Sequence, residues 1–324
     1  MHRREDHVPK PAVVQECVMR IVSLLPSATE IVCAVGAQAE LVGVSHECDY
    51  PEAVRSLPAL TAPRAPAEGS SAAIDRAVRE VLTQALSFYS IDQNKLAALS
   101  PDVIVTQDLC EVCAVSIDDV RSAVARLAAR EKVEIVSLRP SRLGDVWNDV
   151  ERVGVALGRA EAGRQARAEL ERRVGAIAER ARQAHTFPRV ATIEWLEPLM
   201  LGGTWMPDLI ALAGAEALGV EAGAPAKTLT PAELVALAPD VVLVKACGFS
   251  LPRVLQEGAA LEYALPRELF SRARVYATDG NAFFNRSGPR LVESLEILAA
   301  CVHPALFSDL WAKHAAVITR LPLG

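Results

Sequence analysis

The chain has 324 residues, 51% of them hydrophobic and 23% charged, with 34 basic against 40 acidic side chains and a formal net charge of −6. That size sets an expectation of about two domains, and the acidic balance gives no electrostatic reason to expect nucleic acid as a partner. No run of residues approaches the ~20 apolar positions of a membrane span.

Residues 1–19 carry early positive charge without the apolar core of a leader, so a disordered extension and a cytoplasmic setting are expected. Arg20–Leu25 reads as a strand. Ser27 and Glu30 then have the spacing of a capping box opening a helix that Gly36 ends. Leu41–Ser45 is a second strand and runs into His46-Glu47-Cys48-Asp49-Tyr50-Pro51. A Pro/Ala/Arg-rich loop, a helix over Ser71–Leu86 and a short one over Asp92–Leu99 follow. Residues 96–107, LAALSPDVIVTQ, then give a helix stopped by proline and a buried strand. A helix to about Arg130 and a strand at Val133–Leu138 complete this part.

From Arg142 to Ala184 there is no proline and an excess of strong helix formers. Two helices meeting near Gly158 are expected, the second running roughly 36 Å as a stiff strut. A strand at Arg189–Trp195 and a helix over Met206–Ala213 come next. Residues 234–245, LVALAPDVVLVK, repeat the earlier helix–Pro-Asp–strand pattern. A strand at Arg274–Thr278, a helix at Pro289–Ala300 and a last helix at Leu306–Leu321 close the chain. The repeat and the alternation of strands and helices predict an α/β protein of two Rossmann-like lobes with mainly parallel sheets. The expected division is an N-terminal lobe at 20–140, a helical linker at 141–186 and a C-terminal lobe at 187–324.

Ligands of open α/β sheets bind beyond the carboxyl ends of the strands. The residues found there are His46 and Tyr50 after the second strand, Gln107 after the first repeat strand, and Trp195 and Trp205 after the strand that opens the second lobe. Phe249 follows the second repeat strand, and Phe283, Asn285 and Arg286 follow Arg274–Thr278. Aromatics, amides and a guanidinium suit a large, flat, partly apolar ligand with polar edges. Any single aromatic can equally plug the sheet, and Arg286 can equally cap a carbonyl or pair with Asp279.

Of seven cysteines, Cys48, Cys110, Cys113 and Cys247 also fall at strand ends. They read either as unliganded cleft thiols or as a redox pair or a four-thiolate zinc or iron–sulfur site. Cys33 and Cys301 read as core, and Cys17 lies in the extension. His46 can ligate a metal with Glu47 or Asp49 behind it, or simply close a turn. The sequence contains no Ser-His-Asp arrangement, P-loop or G-x-G-x-x-G.

RIVSLLPSATEIVCAVG, both L-x-x-L-x-P-D-V segments, LIALAGAEALG and GPRLVESLEILA together resemble the vitamin B12-binding branch of the solute-binding proteins of ABC importers, over about Arg20 to Leu321. The resemblance implies two lobes joined by one rigid helix and a corrinoid such as cobalamin gripped between them, with no catalysis. The same fold also serves iron-siderophores and haem. It further implies docking on an ABC permease through a glutamate from each lobe. Glu216 matches the second-lobe position, whereas the first-lobe position is Asn94. A monomeric intracellular relative that binds, stores or delivers a corrinoid is the expectation. A cysteine-based redox or metal protein and an iron-siderophore or haem binder stand as alternatives.

Overall fold

The computed structural model describes residues 19–65, 68–83, 88–107, 116–127 and 133–322. The N-terminal lobe contains β1 (Ile21–Ser23), α1 (Pro26–Ala34), β2 (Leu41–Gly43), β3 (Thr61–Pro63), α2 (Ser71–Thr83) and β4 (Tyr89–Ile91). It continues with α3 (Gln93–Leu99), β5 (Val103–Gln107), α4 (Ile117–Leu127) and β6 (Glu134–Leu138). Among the described residues its main sheet has the order β2-β1-β5-β6, all parallel, and β3 pairs with β4 in a separate hairpin. β5 is buried at every position, as a strand covered on both faces must be.

Two helices, α5 (Leu143–Ala156) and α6 (Ala160–Ala181), leave this lobe. The 22 residues of α6 span about 33 Å. Gly154 and Gly163 let the pair cross closely: a Cβ on Gly154 would stand 2.8 Å from the Gly163 Cα. Gly154→Ala therefore has to push two backbones apart. A cost of about 1–3 kcal/mol is expected, read as an earlier urea midpoint than that of Gly175→Ala, a site on α6 with open space around it.

The C-terminal lobe holds β7 (Arg189–Trp195), β8 (Met200–Leu201), α7 (Met206–Leu212), β9 (Glu216–Ala217), β10 (Lys227–Thr228), α8 (Pro231–Ala236) and β11 (Val241–Val244). After these come α9 (Leu251–Gln256), α10 (Gly258–Ala264), α11 (Arg267–Phe270), β12 (Arg274–Thr278), α12 (Leu291–Val302), α13 (Ser308–Lys313) and β13 (Ile318–Arg320). Its sheet runs β10-β8-β7-β11-β12-β13, with β9 beside β7. β7, β11 and β12 are parallel, and β13 closes one edge antiparallel to β12. No helix among the described residues is long and apolar enough to cross a membrane.

Two local expectations are corrected. The last helix ends at Lys313, and Ile318–Arg320 is a strand, because the β-branched Ile-Thr pair fits the open edge of β12. At α1 the N-cap is Leu25 with Pro26 in the first turn, and no side chain caps it. Glu30 is turned away toward the other lobe.

α6 packs along α12, where Arg173 reaches Glu293 at 2.8 Å and Glu296 at 3.2 Å. Glu296 also accepts from Lys313 at 2.6 Å and meets His314 Nε2 at 2.7 Å. Desolvation pushes its carboxyl upward, but His314, Lys313 and Arg173 outweigh it and hold the pKa at about 2. An acid with a depressed folded pKa stabilises fully above its unfolded value of 4.5 and loses that contribution as pH falls toward 2. Glu296→Gln is therefore expected to be less stable than the parent at pH 7 by roughly 1–2 kcal/mol, after allowing for solvent screening. The two curves of melting temperature against pH should converge as pH drops from 4.5 to 2.

Candidate functional site

The loop after β2 forms one wall. Thr61 Oγ1 lies 2.7 Å from His46 Nδ1 and 2.9 Å from Ser45 Oγ, and accepts from the His46 amide. His46 is itself exposed, and partial desolvation lowers its pKa against a weaker pull from Glu47, which favours the neutral imidazole at pH 7. The ring of Tyr89 lies 5.2 Å from it, and the Tyr89 hydroxyl donates to Glu47 at 2.8 Å.

Three residues after His46, at Asp49, the same loop crosses to the other lobe. Arg286 donates to both oxygens of Asp49, at 2.5 and 3.1 Å, and reaches Glu30 at 3.5 Å. Arg290 donates to Glu30 at 2.6 Å, its guanidinium 4.3 Å from the centre of the Tyr50 ring and 5.7 Å from that of Phe283. Asn281 adds a bond to Asp49 at 3.3 Å. The two acids respond oppositely. Burial raises the pKa of Glu30 despite both arginines, and its Oε2 has no hydrogen-bond partner. Asp49, partly exposed, also feels desolvation, but Arg286 holds it below the ordinary carboxylate range.

The opposite wall is built on a buried lysine. Lys245, which ends the β11 run, has no exposed side-chain surface and donates to Glu194 at 2.8 Å and Asn285 at 2.7 Å. Gly202 makes the room: a Cβ there would lie 2.8 Å from Lys245 Cε. Asn285 donates back to the carbonyls of Lys245 and Gly280, tying the loop after β12 to the end of β11. Trp195 and Phe249 sit side by side with ring centres 5.2 Å apart. The Phe249 carbonyl accepts from the amides of Gly280 and Asn281, which links this aromatic pair to the Asp49 cluster.

Most of the predicted residues thus meet at one interlobe seam. Tyr50, Phe283 and Arg286 belong to the ionic cluster, Asn285 to the Lys245 network, and Trp195 and Phe249 to the aromatic pair. Arg286 pairs with Asp49 and Glu30, whereas Asp279 accepts from the amides of Asn281 and Ala282. Gln107 is buried at the end of β5. Trp205 sits in the main apolar core and donates its indole N–H to the Phe284 carbonyl at 2.7 Å. Glu216 is exposed on β9 and 3.5 Å from Arg189; Asn94, on α3, is exposed too.

Cys110 and Cys113 lie outside the described residues. Cys48 is buried beside Thr29, at 3.0 Å, and burial pushes its thiol up to about 11; Cys247 is half-buried. Among the described residues no group of three or more His, Cys, Asp or Glu side chains is placed to hold a metal ion. Sequence reading passes over Lys245, Arg290 and Glu194, and gives Glu30 a capping role in place of its ionic one. Lys245 left a trace, as a charge ending a run of buried β-branched residues.

No curated protein sequence matches the chain. Solved structures do. The periplasmic vitamin B12 binding protein BtuF of Vibrio cholerae shares 18% identity, with a TM-score of 0.61 over 90% of this chain and 97% of that one. A periplasmic heme binding protein from Pseudomonas aeruginosa gives 20% identity and a TM-score of 0.65 over 94% and 95%. The heme-binding RhuT from Roseiflexus sp. RS-1, in apo form, gives 22% and 0.62 over 90% and 99%. At these identities the likeness is one of fold: two α/β lobes joined by a long helix. Residues 21–260 match the family described as periplasmic binding protein, and with most of its length inside that match the chain belongs to the periplasmic binding protein family.

Proposed function

We propose that this protein binds cobalamin or a related corrinoid between its lobes. The observation that carries the reading is the charge state of the seam. Arg286 and Arg290 are matched by Asp49 and Glu30, and Lys245 by Glu194. A ligand rimmed by neutral amides can hydrogen-bond to such paired groups without stripping them of partners. A carboxylate-rimmed haem or an anionic siderophore gains most from unpaired cations. Half-buried Trp195, backed by the buried Phe249 ring, supplies an apolar surface for a flat macrocycle, and the exposed His46 stands on the loop after β2. The vitamin B12 and heme binders of the same fold mark the two ligand classes to compare.

Titration of the purified protein with cyanocobalamin and with hemin, followed by calorimetry and absorbance, tests this. The expected result is a cyanocobalamin Kd of about 1 μM or tighter, with hemin at least about tenfold weaker. Tight hemin binding with no heat from cyanocobalamin would transfer the assignment to haem. Delivery to a permease through Glu216 is a separate proposal, supported by its exposed position on β9. A zinc or iron–sulfur site would have to draw on Cys110 and Cys113.

A further inference from the structure

By chain order α2 belongs to the N-terminal lobe, since it lies between β3 and β4, which pair with each other. Its apolar face belongs to the other lobe. Ile74 is part of the cluster that contains Ile193, Leu199 and Phe249, and Val78, one turn on, packs against that cluster. A polar clasp fixes its first turn. The Ser71 amide donates to Glu257 Oε2 at 2.9 Å, and Arg253 pairs with Glu257 Oε1 at 2.6 Å and donates to the Gly69 carbonyl.

The clasp touches the candidate ligand wall. Arg253 lies over the Phe249 ring, 4.5 Å from its centre, and Phe249 neighbours Trp195. Beyond the seam the helix stands off. A groove of about 650 Å³ separates Asp75, Arg76 and Arg79 from Leu199, Leu229 and Tyr263.

We propose that α2 is a strap across the interlobe cleft, and that its docking on the Glu257–Arg253 clasp controls ligand exchange. This deepens the cleft reading and rests on it. Through Arg253 the clasp rests on the buried Phe249 ring, which packs against Trp195, so the strap is fastened next to the proposed ligand surface without occupying it. Among the described residues α2 is held by a narrow apolar seam and by Glu257, and an element held in that way opens below the global unfolding free energy.

The test compares wild type, Glu257→Ala and Ile74→Ser by amide hydrogen exchange and by stopped-flow mixing with cyanocobalamin. Ile74→Ser loosens the seam from the N-terminal-lobe side and leaves the clasp intact. In both variants the amides of residues 71–83 should exchange at least about tenfold faster, with β7 and β11 unchanged as the sign of an intact fold. Association and dissociation should both accelerate, with the Kd held within about threefold, as for a gate. Unchanged exchange in α2, or freed α2 amides with wild-type rates of ligand exchange, overturns the proposal. If cyanocobalamin fails to bind wild type, the corrinoid reading and the gate fall together. Fast exchange of α2 in both variants would then leave only an interlobe strap.

Discussion

Arg286→Met is expected to destabilise the protein by about 3–5 kcal/mol, the range for removing one partner of a buried ion pair. Arg286 is 8% exposed and is the main partner of Asp49 and a second partner of Glu30, which is only 2% exposed. With methionine in its place, the Glu30 carboxyl faces Arg290 alone in a site that already raises its pKa. Asp49→Asn should cost less, about 1–2 kcal/mol, because Asp49 is 32% exposed and Arg286 keeps both an amide acceptor and Glu30. Urea unfolding of the three proteins at pH 7, followed by tryptophan fluorescence, measures both values. A cost below about 1 kcal/mol for Arg286→Met would mean that the cluster is solvated in solution and does not hold the lobes together.

Gly280→Ala should cost at least about 3 kcal/mol, beyond the usual range for overpacking. An added Cβ would stand 2.1 Å from the Ala246 carbonyl oxygen and 2.5 Å from that of Lys245. Both are backbone atoms in a strand end, so no side chain can rotate away. The Gly280 amide also donates to Phe249 at 2.9 Å, and its carbonyl accepts from Asn285 at 2.7 Å. Relief of the clash must therefore move the loop that carries Asn281, Asn285 and Arg286. Loss of stability and of ligand binding should appear together, whereas Gly248→Ala, in open space, should show only the smaller strain of a positive φ. A Gly280→Ala protein with parental stability and binding would show that this contact does not define the seam.

How much of this was legible depends on the range of the interaction. The strands Arg189–Trp195 and Arg274–Thr278 fall where the sequence predicts them, because a run of β-branched residues between turn formers is a local signal. The helix hairpin 143–181 and its glycine turn are legible for the same reason. Glu30 was misread: a capping box is judged over four residues, and its real partners lie some 260 positions away. Arg286 was offered the neighbouring Asp279, while the fold brings it Asp49. The helix at α2 was foreseen, but its allegiance to the opposite lobe was not, since an apolar stripe does not name the surface it will cover. The aromatics of the site were foreseen as a class. Trp205, whose indole N–H finds a carbonyl in the core, shows that position after a strand does not decide orientation.

The helix pair between the lobes has a consequence for how the proposed ligand could be sensed. A girder of about 33 Å, bolted to its neighbours through Arg173 and Arg180, leaves little freedom for the halves to swing. Filled and empty molecules should then present nearly the same silhouette to small-angle scattering. A receiver that accepts only filled carriers would have to inspect the rim or the cargo itself.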